Sequence, residues 1–184
     1  MVRIFLPLAF LSTVALVVAM VLGLSIDDPR VPTAAVQAGV QYHFLVALAA
    51  LCFATLVHAI VLTYFMGTGR WIEETSNAYR LGPVLYEQSK SIKYRAVPAM
   101  VVAFVLLLMT GALGAAADPA SPMQSSGWLG LSAATLHLSA AIFTVLANVA
   151  VNYLEFTALE RNGEIVEQVL AEVRRIRVEK GLAV

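Results

Sequence analysis

Charged residues are scarce in this sequence, and their scarcity excludes an ordinary soluble domain. Of the 184 residues, only 13% are Asp, Glu, Lys or Arg, whereas 60% are hydrophobic. A soluble domain usually has about 25% charged residues. The net charge at pH 7 is zero, so no excess of positive charge favours a nucleic acid as partner. The composition therefore indicates a membrane protein whose first partner is the lipid bilayer.

Cysteine and recognisable catalytic motifs are also lacking. The one cysteine, Cys52, lies in an apolar run and cannot form an intramolecular disulfide. The sequence has no nucleophile motif, no Gly-rich phosphate loop before a helix and no pair of carboxylates at a catalytic spacing. We therefore expect no enzyme activity from the isolated chain, although it could serve as an electron-transfer subunit. The length fits one domain.

Four long apolar runs are what the sequence has instead. They cover about residues 4–24, 40–66, 97–117 and 128–154, close to or above the roughly 20 residues that a helix needs to cross the hydrocarbon core. Each run must be helical, because lipid offers no partner for unpaired backbone groups. We interpret the first run as a retained anchor, since its apolar part is longer than that of a typical signal peptide.

The connections between these runs predict their arrangement. The loops after the first and third runs are short and rich in turn-forming residues. Short connections favour antiparallel neighbours. The predicted fold is therefore an all-α integral membrane protein, an antiparallel four-transmembrane-helix bundle.

The positive charges indicate the orientation in the membrane. All Lys and Arg residues except Arg30 fall on one side of the four runs. They are Arg3 before the first run; Arg70, Arg80, Lys90, Lys93 and Arg95 after the second; and Arg161, Arg174, Arg175, Arg177 and Lys180 after the fourth. Positive residues accumulate on the cytoplasmic side of membrane proteins. We expect a multi-pass protein of the cytoplasmic (inner) membrane with both termini in the cytoplasm.

The polar segment between the second and third runs predicts a cytoplasmic helical hairpin. It covers about residues 70–95, and Gly82-Pro83 should divide it, because Pro suits the first turn of a new helix. We expect two short helices lying against the membrane surface.

The C-terminal segment, residues 161–184, predicts an amphipathic helix outside the transmembrane domain of residues 1–160. Its apolar residues recur at spacings of three and four, as in a coiled-coil seam: Val166, Val169, Val173 and Ile176. This helix either packs on the hairpin or binds a membrane-protein partner or a second copy of the chain. The pattern leaves both possibilities open.

All three histidines lie in the apolar runs, where titratable groups are costly and usually face the protein interior. His43 and His58 lie on the second run and His137 on the fourth. On a helix, His43 and His58 are about 60° apart in direction and about 22 Å apart along the axis. Small residues separate them, namely Ala47, Ala50 and Ala54.

The positions of the histidines are compatible with haem. Imidazole is a common axial ligand of haem iron, and alanines would allow a flat porphyrin to approach the helix backbone. Counted at about 1.5 Å per residue, His43 and His137 lie at the better matched depth. His58 lies nearer the cytoplasmic side, where Met100 could supply a thioether as second ligand.

This arrangement resembles the four-helix b-type cytochromes of respiratory membranes. In that family, two histidines on one helix each hold a haem together with a histidine from another helix. The resemblance covers His43, His58, His137 and the alanine face, with three histidines where a complete pair of sites has four. It implies haem b as cofactor, electron transfer within a larger redox complex, and a quinone as a candidate partner.

Further polar residues extend this hypothesis. Thr144, Asn148 and Asn152 continue a stripe from His137 that should face the interior and hydrogen-bond across helices. Arg70, in the segment Gly67–Trp71, could bind a haem propionate or a lipid phosphate together with free glycine amides, or it could simply follow the end of a helix. Glu155 and Glu160 follow the fourth run at its cytoplasmic end, where they could pair with Arg70 or Arg95.

The alternative to haem is structural. The three histidines could be hydrogen-bond donors between helices, a site for another metal ion, or a proton relay. The protein would then be a non-catalytic membrane scaffold or accessory subunit.

Overall fold

A computed structural model describes residues 1–27, 31 and 33–183. Four α-helices account for most of this part of the chain: α1 (Val2–Leu24), α2 (Ala34–Tyr79), α3 (Val84–Ala117) and α4 (Ala133–Glu179). Each contains a stretch that is long and apolar enough to cross a membrane. The prediction of an all-helical chain with four candidate membrane spans is therefore confirmed.

Local signals explain where α2 and α4 begin. The Thr33 hydroxyl accepts a hydrogen bond from the amide of Val36, and the Ser132 hydroxyl accepts one from the amide of Thr135. Such side chains satisfy amides that have no partner in the first helical turn. The prediction that the fourth helix starts near residue 128 was wrong, because Leu129 and Gly130 have φ angles of 53° and 77°, which a right-handed helix does not contain.

The helices α2 and α3 are longer than the sequence predicted. Residues 70–95 do not form two separate short helices on the membrane surface. They are the continuation of α2 to Tyr79 and the beginning of α3 at Val84. The predicted break at Gly82-Pro83 is present, and Arg80 and Gly82 turn the chain with φ angles of 56° and 79°. We call this end of the molecule the Gly82 end.

The C-terminal segment is also continuous with the helix before it. The boundary predicted at residue 160 lies inside α4, which runs without interruption from Ala133 to Glu179. No Pro occurs in α4, and Gly163 is the one glycine in it, a residue that a helix tolerates at a cost of about 1 kcal/mol. The predicted tail helix is therefore the last part of α4.

The buried side chains form three layers along the helices. The layer near the N-terminus includes Phe5, Phe65, Met100 and Leu159. The second layer lies further along α1 and includes Leu16, Ala50, Ala54 and Leu107. The third is built around Ile72, Ile165 and Val169, with partly buried neighbours on the extensions of α2, α3 and α4. Helices consecutive in sequence contact each other, and α4 also contacts α1 and α2.

Candidate functional site

Two histidines from different helices face each other beside the ends of α1 and α3. The ring centroids of His43 on α2 and His137 on α4 are 6.0 Å apart, and the ring planes are inclined by 71°. Both side chains are half-buried. The structure thus brings together the two histidines that the depth argument paired.

The main chain of α1 fixes the ring of His43. Its Nδ1 lies 2.9 Å from the carbonyl oxygen of Ala19. A carbonyl only accepts hydrogen bonds, so Nδ1 carries the proton and donates it. The lone pair of Nε2 is then free to bind a metal, and a hydrogen bond of this kind is what usually orients a ligating histidine.

Glycines on α1 and α3 allow both rings to approach the backbone. A Cβ atom added at Gly23 would lie 2.9 Å from Cε1 of His43, and one added at Gly114 would lie 3.1 Å from Cε1 of His137. Any larger residue would push the rings away. The two histidines are therefore held in equivalent ways, each against a glycine of the preceding helix.

The two rings are close enough to bind one metal ion together, because a metal–imidazole bond is about 2 Å long. In addition, Nδ1 of His137 is buried and has no hydrogen-bond partner among the described residues, although buried polar atoms usually have one. The donor chemistry of this pair, two imidazoles, is compatible with a haem iron.

The alanine face of α2 does not serve as the surface for a porphyrin. Ala50 and Ala54 are fully buried against Leu16 and Ala19 of α1 and Leu107 of α3. The small side chains let these helices approach α2 closely. The space expected beside a flat cofactor is filled by protein along this part of α2.

His58 lies in a different environment from the other two histidines. It is completely buried, with Nδ1 at 2.8 Å from Oε1 of Glu155 and Nε2 at 3.0 Å from Oδ1 of Asn148. Phe104 of α3 stacks edge-on at 6.0 Å between ring centroids. Since both ring nitrogens are engaged with α4, neither is free for an iron, and the expectation that His58 binds haem loses its support.

Met100 and Arg70 are also placed away from a haem site. Met100 is buried in the apolar layer with Phe5, Val61 and Phe65. Arg70 is 80% exposed and pairs with Glu74 one turn later at 2.8 Å. This hydrogen bond raises the pKa of the Arg70 guanidinium.

The glycines near Arg70 do not form an anion site. Gly67 and Gly69 lie inside α2, which continues to Tyr79. Their amides therefore belong to the regular helical hydrogen-bond pattern rather than to a loop. The alternative that α2 ends at this point is wrong for the same reason.

The polar stripe of α4 does face the interior, as its spacing predicted. Thr144, Asn148 and Asn152 are all buried. Thr144 and Thr110 share a hydrogen bond of 2.7 Å between their hydroxyls, and Asn152 donates to Thr13 over 3.4 Å. The stripe therefore ties α4 to α1, α2 and α3.

The sequence argument missed two further members of this stripe, Glu155 and Asn162. Glu155 was expected at the membrane surface with an arginine, but it is 1% exposed and bonded to His58. Asn162 is completely buried, accepts from Ser89 and donates to Thr68. Both follow Asn148 at intervals of seven, two helical turns, and this repeat was the signal that could have revealed them.

The described residues contain no cluster of three or more His, Cys, Asp or Glu side chains that could hold a metal ion. Cys52 is exposed on α2 and so lies away from the interior site.

Comparison of the chain with models of protein families, with curated proteins and with solved structures gave no match.

Proposed function

We propose that this protein is a b-type haem protein of the cytoplasmic membrane that transfers electrons within a larger redox complex. His43 and His137 would hold the iron through their imidazoles. The observation that carries the proposal is the pair of facing imidazoles, whose ring centroids are 6.0 Å apart. Each ring lies against a glycine, and Nδ1 of His43 is bonded to the carbonyl of Ala19.

Each residue of the site has a separate part in this proposal. The carbonyl of Ala19 keeps the proton of His43 on Nδ1, so that Nε2 can bind iron. Gly23 and Gly114 leave room for the two rings. Haem held in this way supplies one-electron oxidation and reduction. The half-buried position of both rings would keep the site within reach of a quinone or a protein partner.

The proposed architecture is an antiparallel four-helix bundle with both termini in the cytoplasm. The buried layers support this arrangement, because Phe5 near the N-terminus shares a layer with Phe65, Met100 and Leu159. The positions of Lys and Arg support the orientation. The Gly82 end and the last part of α4 would then project into the cytoplasm.

The packing of the last part of α4 limits how a partner could bind. The apolar seam of the tail packs within the chain, since Val166, Val169 and Val173 join the layer of Ile72. This favours the interpretation of the tail as a helix packed on the hairpin. Contact with a membrane-protein partner or a second copy would use the opposite, exposed side, which includes Leu170 and Val178.

A second candidate function is a non-catalytic membrane scaffold or accessory subunit. The observation in its favour is His58, whose two nitrogens hydrogen-bond to α4 and so hold two helices together without any cofactor. The two functions are compatible, because the histidines of the pair and His58 occupy different environments.

A visible spectrum of the protein purified in detergent tests the proposal. Cells producing the protein are supplied with a haem precursor, and the spectrum is recorded before and after reduction with dithionite. We expect a Soret band and an α band that sharpen on reduction. A flat visible spectrum from folded protein would leave the scaffold function as the answer.

A further inference from the structure

We propose that His58, Glu155 and Asn148 form a proton-binding site in the interior of the membrane domain, separate from the pair His43 and His137. The site would take up and release one proton on the imidazole of His58. It does not rest on the presence of haem.

The burial and pairing of these side chains are the first support. His58, Glu155 and Asn148 are 0%, 1% and 2% exposed. A buried charge is very costly unless an opposite charge lies beside it. Nδ1 of His58 and Oε1 of Glu155 are 2.8 Å apart, so an imidazolium and a carboxylate can stabilise each other in this position.

The groups around His58 come from several helices. On α4 they are Glu155 and Asn148, and on α3 the neighbour is the uncharged ring of Phe104. From α1, Thr13 reaches the adjacent Asn152. Within the described residues, Glu155 is thus the charged group that faces the imidazole. The single negative charge of the Glu155 carboxylate balances the positive charge of one proton on His58, but not the two charges of a divalent metal ion. This favours a proton as the ligand of the site.

Asn148 allows the site to hold both protonation states. Its Oδ1 faces Nε2 of His58 at 3.0 Å, and an oxygen in this place accepts from a protonated nitrogen. When Nε2 loses its proton, rotation of the amide by half a turn brings the Nδ2 donor to the same place. Nε2 of His58 then has a hydrogen-bond partner in both protonation states. The proton can therefore leave without the nitrogen losing its partner.

Three buried polar atoms around the cluster have no partner among the side chains and backbone that the structure describes. They are Oε2 of Glu155, Nδ2 of Asn148 and Oδ1 of Asn152. Residues 148, 152 and 155 lie on consecutive turns of one helix face. These three atoms are the donor and acceptors that a bridging water would bond, and a water in this place could pass a proton to or from the cluster.

A polar route towards the Gly82 end is present on the same face of α4. Asn162 lies two turns, about 10 Å, beyond Glu155. It is bonded to Ser89 on α3 and to Thr68 and Tyr64 on α2. These hydroxyl and amide groups connect the face of α4 beyond the cluster with the extension of α3. We therefore infer that the proton exchanges with the side of the Gly82 end.

The reaction is a simple proton exchange without electron transfer. The N–H bond at Nε2 of His58 breaks, the electron pair stays on the nitrogen, and the proton passes to water. Nδ1 of His58 keeps its proton and its hydrogen bond to Oε1 of Glu155 in both states.

Nitrogen NMR of protein labelled with ¹⁵N-histidine and reconstituted in vesicles tests this inference. The sample is kept reduced, so that any bound haem iron with two histidine ligands is diamagnetic. We expect one histidine, identified by its absence in His58→Gln, to change from the imidazolium to the neutral form with one transition between about pH 4 and about pH 10. The matched variant Glu160→Gln, at an exposed position of α4, should keep this transition.

A second variant distinguishes a proton-binding site from a purely structural hydrogen bond between His58 and Glu155. Glu155→Gln keeps the shape of the side chain and removes its charge, so His58 should be neutral over the whole range. If the wild-type histidine stays in one form at every pH, or if Glu155→Gln titrates as the wild type does, the proposal is overturned. Because haem does not enter the readout, this result and that of the visible spectrum are independent.

Discussion

Gly114 of α3 lies so close to His137 of α4 that a Cβ atom at residue 114 would be 3.1 Å from Cε1 of the ring. Gly23 of α1 has the same relationship to His43, with a distance of 2.9 Å. Both glycines lie near the last turn of their helices. The absence of a side chain at these two positions is what lets both imidazoles lie against a neighbouring backbone.

The first prediction concerns these glycines. Gly23→Ala and Gly114→Ala should each lower the haem content of the purified protein by more than half, because the added methyl group displaces an imidazole that would bind the iron. Haem content is measured as the ratio of Soret absorbance to protein concentration. The effect should be at least as large for Gly23→Ala, whose added atom makes the closer contact.

The matched control is Gly67→Ala in α2. A Cβ there would meet nothing within 4 Å, and alanine is favoured over glycine in a helix by about 1 kcal/mol. Its haem content should equal that of the wild type. Equal haem content in all three alanine variants would show that the glycines have no part in the site.

The second prediction tests whether the tail packs on the extensions of α2 and α3. Ile72 is completely buried against Ile165 and Val169, so Ile72→Ala should lower the free energy of unfolding by about 2–5 kcal/mol. Trypsin should then cleave the tail faster at its arginines. The exposed residue Leu170 provides the control, and Leu170→Ala should be cleaved at the wild-type rate. A tail that is cleaved equally fast in all three proteins would not be packed.

The third prediction concerns Asn162. Its side chain bonds Ser89, Tyr64 and Thr68, and Asn162→Ala leaves the buried hydroxyl of Ser89 without this partner. An unsatisfied buried group costs about 1–3 kcal/mol, so the melting temperature in detergent should fall. Asn77→Ala, at an exposed position of α2, should melt as the wild type does. Coincident melting curves for both variants would argue against the buried polar contact.

The fourth prediction concerns two residues that the sequence suggested as haem contacts. Arg70→Ala should leave the haem content unchanged, since the guanidinium is exposed and bonded to Glu74. Met100→Leu, which conserves side-chain volume, should cost less than about 1.5 kcal/mol and leave the reduced spectrum unaltered. A shift of the α band in Met100→Leu would instead indicate a thioether ligand.

The structural features that follow from hydrophobicity and from helical spacing could be predicted from the sequence. Long apolar runs must be helical in lipid, and polar residues repeating every three or four positions must turn inward; Thr144 and Asn148 follow this rule. The depth of His43 and His137 could be counted from the ends of the runs, because the rise per residue of a helix is constant.

The lengths of the helices and the place of Glu155 could not be predicted in the same way. Apolar runs end where lipid ends, but α2 and α4 continue as helices into polar surroundings because no residue there breaks them. Glu155 was therefore assigned to the membrane surface, whereas the structure buries it against His58 of α2. The contacts of Gly23 and Gly114 with the histidines depend on how the helices pack against each other. The spacing of residues along the sequence carries no information about this packing.

The central claim is that His43 and His137 hold one haem between them. The most direct test is the haem-to-protein ratio, determined as the pyridine haemochrome, in the wild type and in the variants His43→Ala, His137→Ala and His58→Gln, with helical content checked by circular dichroism. The account predicts one haem per chain in the wild type and in His58→Gln, and almost none in the other two. A ratio that falls in His58→Gln but not in His43→Ala or His137→Ala would contradict it.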